Sequence, residues 1–140
     1  MKIIQDVKRI LGITGMIIIL VGVSVLFTGG LRIRGELRRA FLEAKNIELT
    51  LRLISYEYYK EDRRIYDALR QDGLTEGVAE EVKYLSNAQG SIALGYWDTA
   101  RQAAGSFVYK KGNIMIFYEY DKNTTHEDWN IYYSIYNIKN

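Results

Sequence analysis

The chain has no cysteine and no proline, one histidine, and no excess of either charge. The missing cysteines exclude a disulfide framework and thiolate metal sites, which leaves either side of a bacterial membrane open. The missing prolines remove kinks and cis turns and permit long uninterrupted helices. With His126 as the sole imidazole, neither a histidine metal cluster nor a Ser-His-Asp arrangement with an alternative base can be assembled. Nineteen basic and seventeen acidic residues are well mixed and sum to +2, too weak a field to imply nucleic acid. No glycine-rich phosphate loop occurs. The paired carboxylates Glu61-Asp62 and Glu80-Glu81 stand among Arg63, Arg64 and Lys83 as surface charge. No catalytic set and no cofactor site follows from the sequence, and a non-enzymatic role is expected.

What is present is a long apolar run. Ile10 to Leu31 contains no charged residue, and Met16 to Val21 is almost wholly aliphatic. At about 1.5 Å per residue the run matches the roughly 30 Å of a bilayer core. A retained transmembrane helix over 10–31 is expected, preceded by a short basic segment, 1–9. Lys2, Lys8 and Arg9 also resemble the n-region of a secretory signal. Against removal, the run is long for such a signal, and no small-x-small cleavage site with a polar start follows it. Those three basic residues face Arg32, Arg34, Arg38 and Arg39 across the run, a near tie in the positive-inside count that tilts the following domain toward the cytoplasm. Gly15, Gly22 and Gly29 recur every seven residues on one face, where another membrane helix could approach closely; glycine is also simply common in membrane helices.

Beyond the run the pattern becomes amphipathic. Ile33, Leu37, Ala40, Ala44, Ile47, Leu51, Ile54 and Tyr58 follow at steps of four and three, a seam that predicts an amphipathic helix over 32–72. In the same register, helix runs from about Ile10 to about Tyr59, with a bend or local melting expected at Gly29-Gly30. Such a seam also suits a homomeric coiled coil. Phe41, Leu42, Leu49 and Leu53 widen it, however, and a wide stripe favours cover by a sheet.

Residues 73–105 form a variable segment: Gly73 stops the long helix, and Val78, Val82 and Leu85 predict a short second one. A short strand is expected around Ser91 to Tyr96, then a helical turn from Thr99 to Ala104 capped by Asp98. Within 106–140, Ser106 to Lys110, Ile114 to Tyr120 and Trp129 to Ile138 are rich in aromatic and β-branched residues. Turn-forming stretches separate them, and a three-stranded antiparallel meander is predicted. The fold class is therefore α+β. Tyr132 and Tyr136 share the strand face turned away from the helix, where they are either a partner surface or ordinary half-buried sheet tyrosines. Asp121, Asn123, Thr125, Glu127 and Asp128 offer calcium-type oxygen ligands, but His126 stands where an EF-hand loop has glycine, so a solvated hairpin loop is expected and no metal site is assigned.

A membrane helix continuing as an amphipathic helix, a variable middle and a C-terminal meander resembles type IV pilins and the pseudopilins of type II secretion systems. Tyr58-Tyr59-Lys60-Glu61-Asp62 ends the long helix much as theirs end. Lys8-Arg9-Ile10-Leu11-Gly12 before Ile13 is similar to a prepilin-peptidase site, as is Gly15 before Met16. The family's glutamate at the fifth position is replaced by Ile17 or Leu20, and its helix proline is lacking. The resemblance implies a minor pilin-like subunit of a filament, pseudopilus or secretion assembly, processed between Gly12 and Ile13. It would sit in the inner (cytoplasmic) membrane, associating through its N-terminal helix with other copies or other assembly subunits, its soluble domain outside the cytoplasm. The alternative is a bitopic accessory or adaptor protein of a membrane complex, its small domain binding a partner.

Overall fold

The computed structural model describes residues 2–134; at positions 2, 6, 9–13 and 15 it describes backbone alone. The protein is α+β, in the order α1 (Lys2–Lys60), α2 (Val78–Ser86), β1 (Ser91–Asp98), β2 (Ala103–Lys111), β3 (Ile114–Asp121) and β4 (His126–Tyr133). It divides into two units, Met1–Glu36 and Leu37–Asn140.

The first unit is helix alone. Helical structure continues through Gly29 and Gly30, so the local melting expected there does not occur. A pair of glycines costs about 2 kcal/mol relative to alanine, which well-formed helix on both sides absorbs.

In the second unit, the remainder of α1 lies under a four-stranded antiparallel sheet of order β1-β2-β3-β4. Ala40, Ala44, Ile47, Leu51, Ile54 and Tyr58 of the predicted seam are buried. They meet Ile92 and Leu94 of β1, Phe107 and Tyr109 of β2, and Ile114, Ile116 and Tyr118 of β3 in one core. The alanines let helix and sheet approach closely, while the larger residues fill the space beside them. Leu42, Leu49 and Leu53 depart from the expected wide stripe. All three are more than half exposed, and only Phe41 joins the core margin. At about 100° per residue they lie on the opposite side of the helix from Ala44, Ile47 and Leu51.

The helix ends at Lys60, next to the end near Tyr59 that the register of the seam predicts, and does not extend to 72. Asp62 adopts a left-handed conformation (φ 55°), the Arg63 amide donates to the Tyr58 carbonyl at 2.8 Å, and the Asp62 amide donates to the Tyr59 carbonyl at 3.2 Å. This is a Schellman termination built without glycine. Residues 61–77 then fold back as a loop whose Ile65 and Leu74 enter the core. Gly73 (φ 67°) sits against β1, where an added Cβ would overlap the Leu94 carbonyl oxygen.

The sheet has one strand more than the three-stranded meander predicted for 106–140, because β1 pairs fully with β2. Thr99 to Ala104 is not helical. Asp98 caps the amides of Ala100 and Arg101 at 3.1 and 3.3 Å, but in a turn that hands the chain directly to β2. β4 begins at His126, since Asp121, Tyr120 and Glu119 pair with His126, Glu127 and Asp128. The long polar loop expected over 121–128 is correspondingly short.

Candidate functional site

In α1, Met16 to Lys60 includes a window long and apolar enough to cross a membrane, and none of that window is buried by protein. Within it the Ser24 hydroxyl donates to the Leu20 carbonyl at 2.8 Å, and the Thr28 hydroxyl to the Ser24 carbonyl at 2.9 Å. These polar groups are thus satisfied inside the helix, as a hydrocarbon environment requires. A Cβ at Gly22 or Gly29 would meet nothing within 4 Å, so among the described residues nothing covers these two positions. For Gly12, Ile13 and Gly15 only the helical backbone is described, and their side-chain surroundings lie outside the described residues.

A second set of residues fixes the soluble unit. Glu43 of α1 accepts hydrogen bonds from the Tyr109 hydroxyl, from Lys111 Nζ at 2.5 Å and from the Gln89 amide at 3.5 Å. Tyr109 also accepts from the Gly90 amide at 3.0 Å. One carboxylate thereby ties α1 to β2 and to the segment entering β1. Burial works to raise the Glu43 pKa, but the bonds from Lys111, Tyr109 and Gln89 outweigh it and hold the carboxyl below its ordinary range. Burial and the adjoining Glu43 carboxylate push the Tyr109 phenol well above its usual value. Tyr58 is likewise raised, by burial and by the Glu81 carboxylate to which it donates at 2.8 Å, tying α1 to α2.

Toward the open edge, Lys45 lies 4.5 Å from the Trp129 ring centroid and 3.9 Å from a Glu127 oxygen, and Arg101 stacks 3.2 Å from the Tyr120 centroid. These cation–π contacts set basic side chains against the aromatic rings of β3 and β4. Trp129, Ile131 and Tyr133 share the inward face of the edge strand β4, yet only Trp129 of the three is half-buried.

Tyr132 is exposed on the outer sheet face, its ring edge-on to Phe117 with centroids 5.4 Å apart. The register sets Ala93, Val108, Phe117 and Asn130 in one row across that face, with Met115 and Tyr132 beside it. Tyr136, the other tyrosine predicted for this surface, lies outside the described residues.

In the β3–β4 hairpin, Asp121 accepts from the Asn123 amide at 2.8 Å and the Thr124 hydroxyl at 2.9 Å, contacts that lower its pKa. Its carboxylate is occupied in closing the turn. Among the described residues no group of three or more His, Cys, Asp or Glu side chains is placed to hold a metal ion.

The surface that sequence reasoning missed is the outward side of α1, bearing Leu42, Leu49, Leu53 and Tyr56. The signal was present: apolar residues stand on two opposite sides of the helix.

A scan of family models finds no match to the chain, and searches against curated proteins and solved structures find none either. Fold and surfaces together fit a single-pass membrane protein of α+β architecture, with one helix able to span the bilayer.

Proposed function

We propose that the chain is a membrane-anchored assembly subunit of pilin-like design, a structural component of a bacterial filament, pseudopilus or secretion-type machine. The observation that carries this reading is the division of labour along one helical element. Its first part is apolar with no protein cover, and its later part supplies the stripe that a four-stranded antiparallel sheet buries. Such a helix can be held in lipid as a monomer and packed against other subunits in an assembly, since both surroundings satisfy the same apolar surface. The site would be the row of Gly15, Gly22 and Gly29, open at Gly22 and Gly29, with the outer sheet face around Tyr132 available to further subunits.

A second reading, a bitopic accessory protein with a cytoplasmic domain, draws on Arg32, Arg34, Arg38 and Arg39, all of them exposed just beyond the apolar run. Protease treatment of intact cells and of spheroplasts separates the two. The pilin-like reading predicts digestion of the soluble domain in spheroplasts, and protection there until the membrane is lysed would overturn it.

A further inference from the structure

The outward side of α1 in the soluble unit carries an apolar seam of its own. Leu42, Leu49, Leu53 and Tyr56 are 54, 58, 58 and 52% exposed, although each belongs to a helix whose other side is fully buried. Their spacing, with Asn46 between the first two, is four-three-four-three, the a/d pattern of a coiled coil: Asn46 and Leu53 at a, Leu42, Leu49 and Tyr56 at d. The sheet covers the opposite positions, Ala40, Ala44, Ile47, Leu51, Ile54 and Tyr58. The seam is therefore centred on the side of the helix that the fold leaves open.

We propose that this seam pairs with the same seam of a second copy, forming an in-register parallel two-stranded coiled coil over residues 39–60. Three observations select this occupant. The first is charge. Arg38, Lys45 and Arg52 line the g side and Glu57 the e side, so a parallel pair sets Arg52, which also holds Glu48 of its own chain, opposite Glu57 of the other copy, while the Glu43 carboxylate stays with Lys111 and Tyr109. An antiparallel pair would bring the basic rows together, and like charges at these positions are destabilising. The second is Asn46, which is exposed and stands at an a position amid leucines. A lone asparagine there is satisfied only by its own counterpart across an aligned dimer, which fixes register at some cost in stability. The third is chain polarity: two copies held by the same N-terminal span enter residues 39–60 from the same side of the membrane. Confinement to one membrane also raises the local concentration of partners, which so short a seam needs.

The inference deepens the assembly-subunit reading by naming a partner, and it rests on that reading only for the shared polarity of the copies. Because the chain has no cysteine of its own, single replacements report contacts without background. Full-length Leu42→Cys, Leu49→Cys and Leu69→Cys would be oxidised with copper-phenanthroline in membranes, the last being a control on a loop residue that is 97% exposed. The expected result is disulfide dimer at both seam positions, about tenfold above the Leu69→Cys control, because membrane confinement is common to all three variants and only a paired seam holds the thiols side by side. Adding Leu49→Glu to Leu42→Cys should abolish that dimer while leaving the domain's protease resistance unchanged, since Leu49 makes no core contact. Seam yields no higher than the control would overturn the proposal, as would preferential Leu42→Cys to Leu49→Cys mixed pairs, which mark a staggered or antiparallel contact. Protease accessibility reports the compartment independently, so failure of the pilin-like reading and failure of the seam are separate results.

Discussion

Leu51 gives the sharpest test of the helix-on-sheet packing. It is fully buried in the core formed with β1, β2 and β3, so Leu51→Ala removes three carbons from a site with no path to solvent. At about 0.8 kcal/mol per buried methylene, the transfer cost alone is roughly 2.4 kcal/mol. The cavity left behind adds to it, because neighbours on a sheet cannot fully collapse, and the total is about 3–4 kcal/mol. For a unit of about 100 residues that lowers the melting temperature by roughly 12–25 °C. The assay is thermal unfolding of the full-length protein in a mild detergent, followed by tyrosine and tryptophan fluorescence. Leu69→Ala is the internal control, since that side chain is 97% exposed and its loss should change stability by no more than about 0.5 kcal/mol. Equal melting temperatures for the two variants would refute the packing.

Glu43→Gln should cost about 1–2 kcal/mol at neutral pH, because the Lys111 and Tyr109 donors lose their charged acceptor. The lowered pKa of Glu43 means that its contribution is complete above the unfolded-state carboxylate pKa and is lost as the pH falls through the folded one. Parent protein should therefore lose stability below about pH 4.5 more steeply than Glu43→Gln, and parallel acid limbs in urea titrations would show that the network is not coupled to folding. Asp62→Gly should stabilise the domain by about 0.5–1 kcal/mol, since glycine occupies the left-handed position that ends α1 without a Cβ penalty; a loss of stability in the same titration would contradict the Schellman termination.

Much of the architecture was legible because it rests on periodicity. The uncharged run, the seam from Leu37 to Tyr58 and the alternation in Ile114 to Tyr120 each state which side of an element meets apolar surroundings. Four features were not legible, for physical reasons. The seam gives an end of α1 near Tyr59, but the stop that excludes an extension to 72 is made by an aspartate in the left-handed conformation, and no glycine marks it. The pattern predicts β1 as a short strand from Ser91 to Tyr96, but not its place in the sheet, because Gly95 and the register shifts on either side of Tyr96 interrupt strict alternation. The start of β4 is polar because it is an exposed edge, where nothing requires apolar residues. The outward seam of α1 was not legible as a separate face because Leu42, Leu49 and Leu53 stand next in sequence to residues of the buried stripe while lying on the opposite side of the helix. Of the candidate sites, Gly22, Gly29 and Tyr132 lie on open surfaces, whereas the Glu43 network joins residues more than sixty positions apart and has no local signature.

The central claim is that α1 anchors the protein in a bilayer, and alkaline carbonate extraction of membranes tests it most directly. An apolar helix without protein cover over its membrane-crossing window predicts that the full-length chain stays with the pellet at high pH and leaves it only with detergent. Release of the intact, uncleaved chain into the carbonate supernatant would contradict the account.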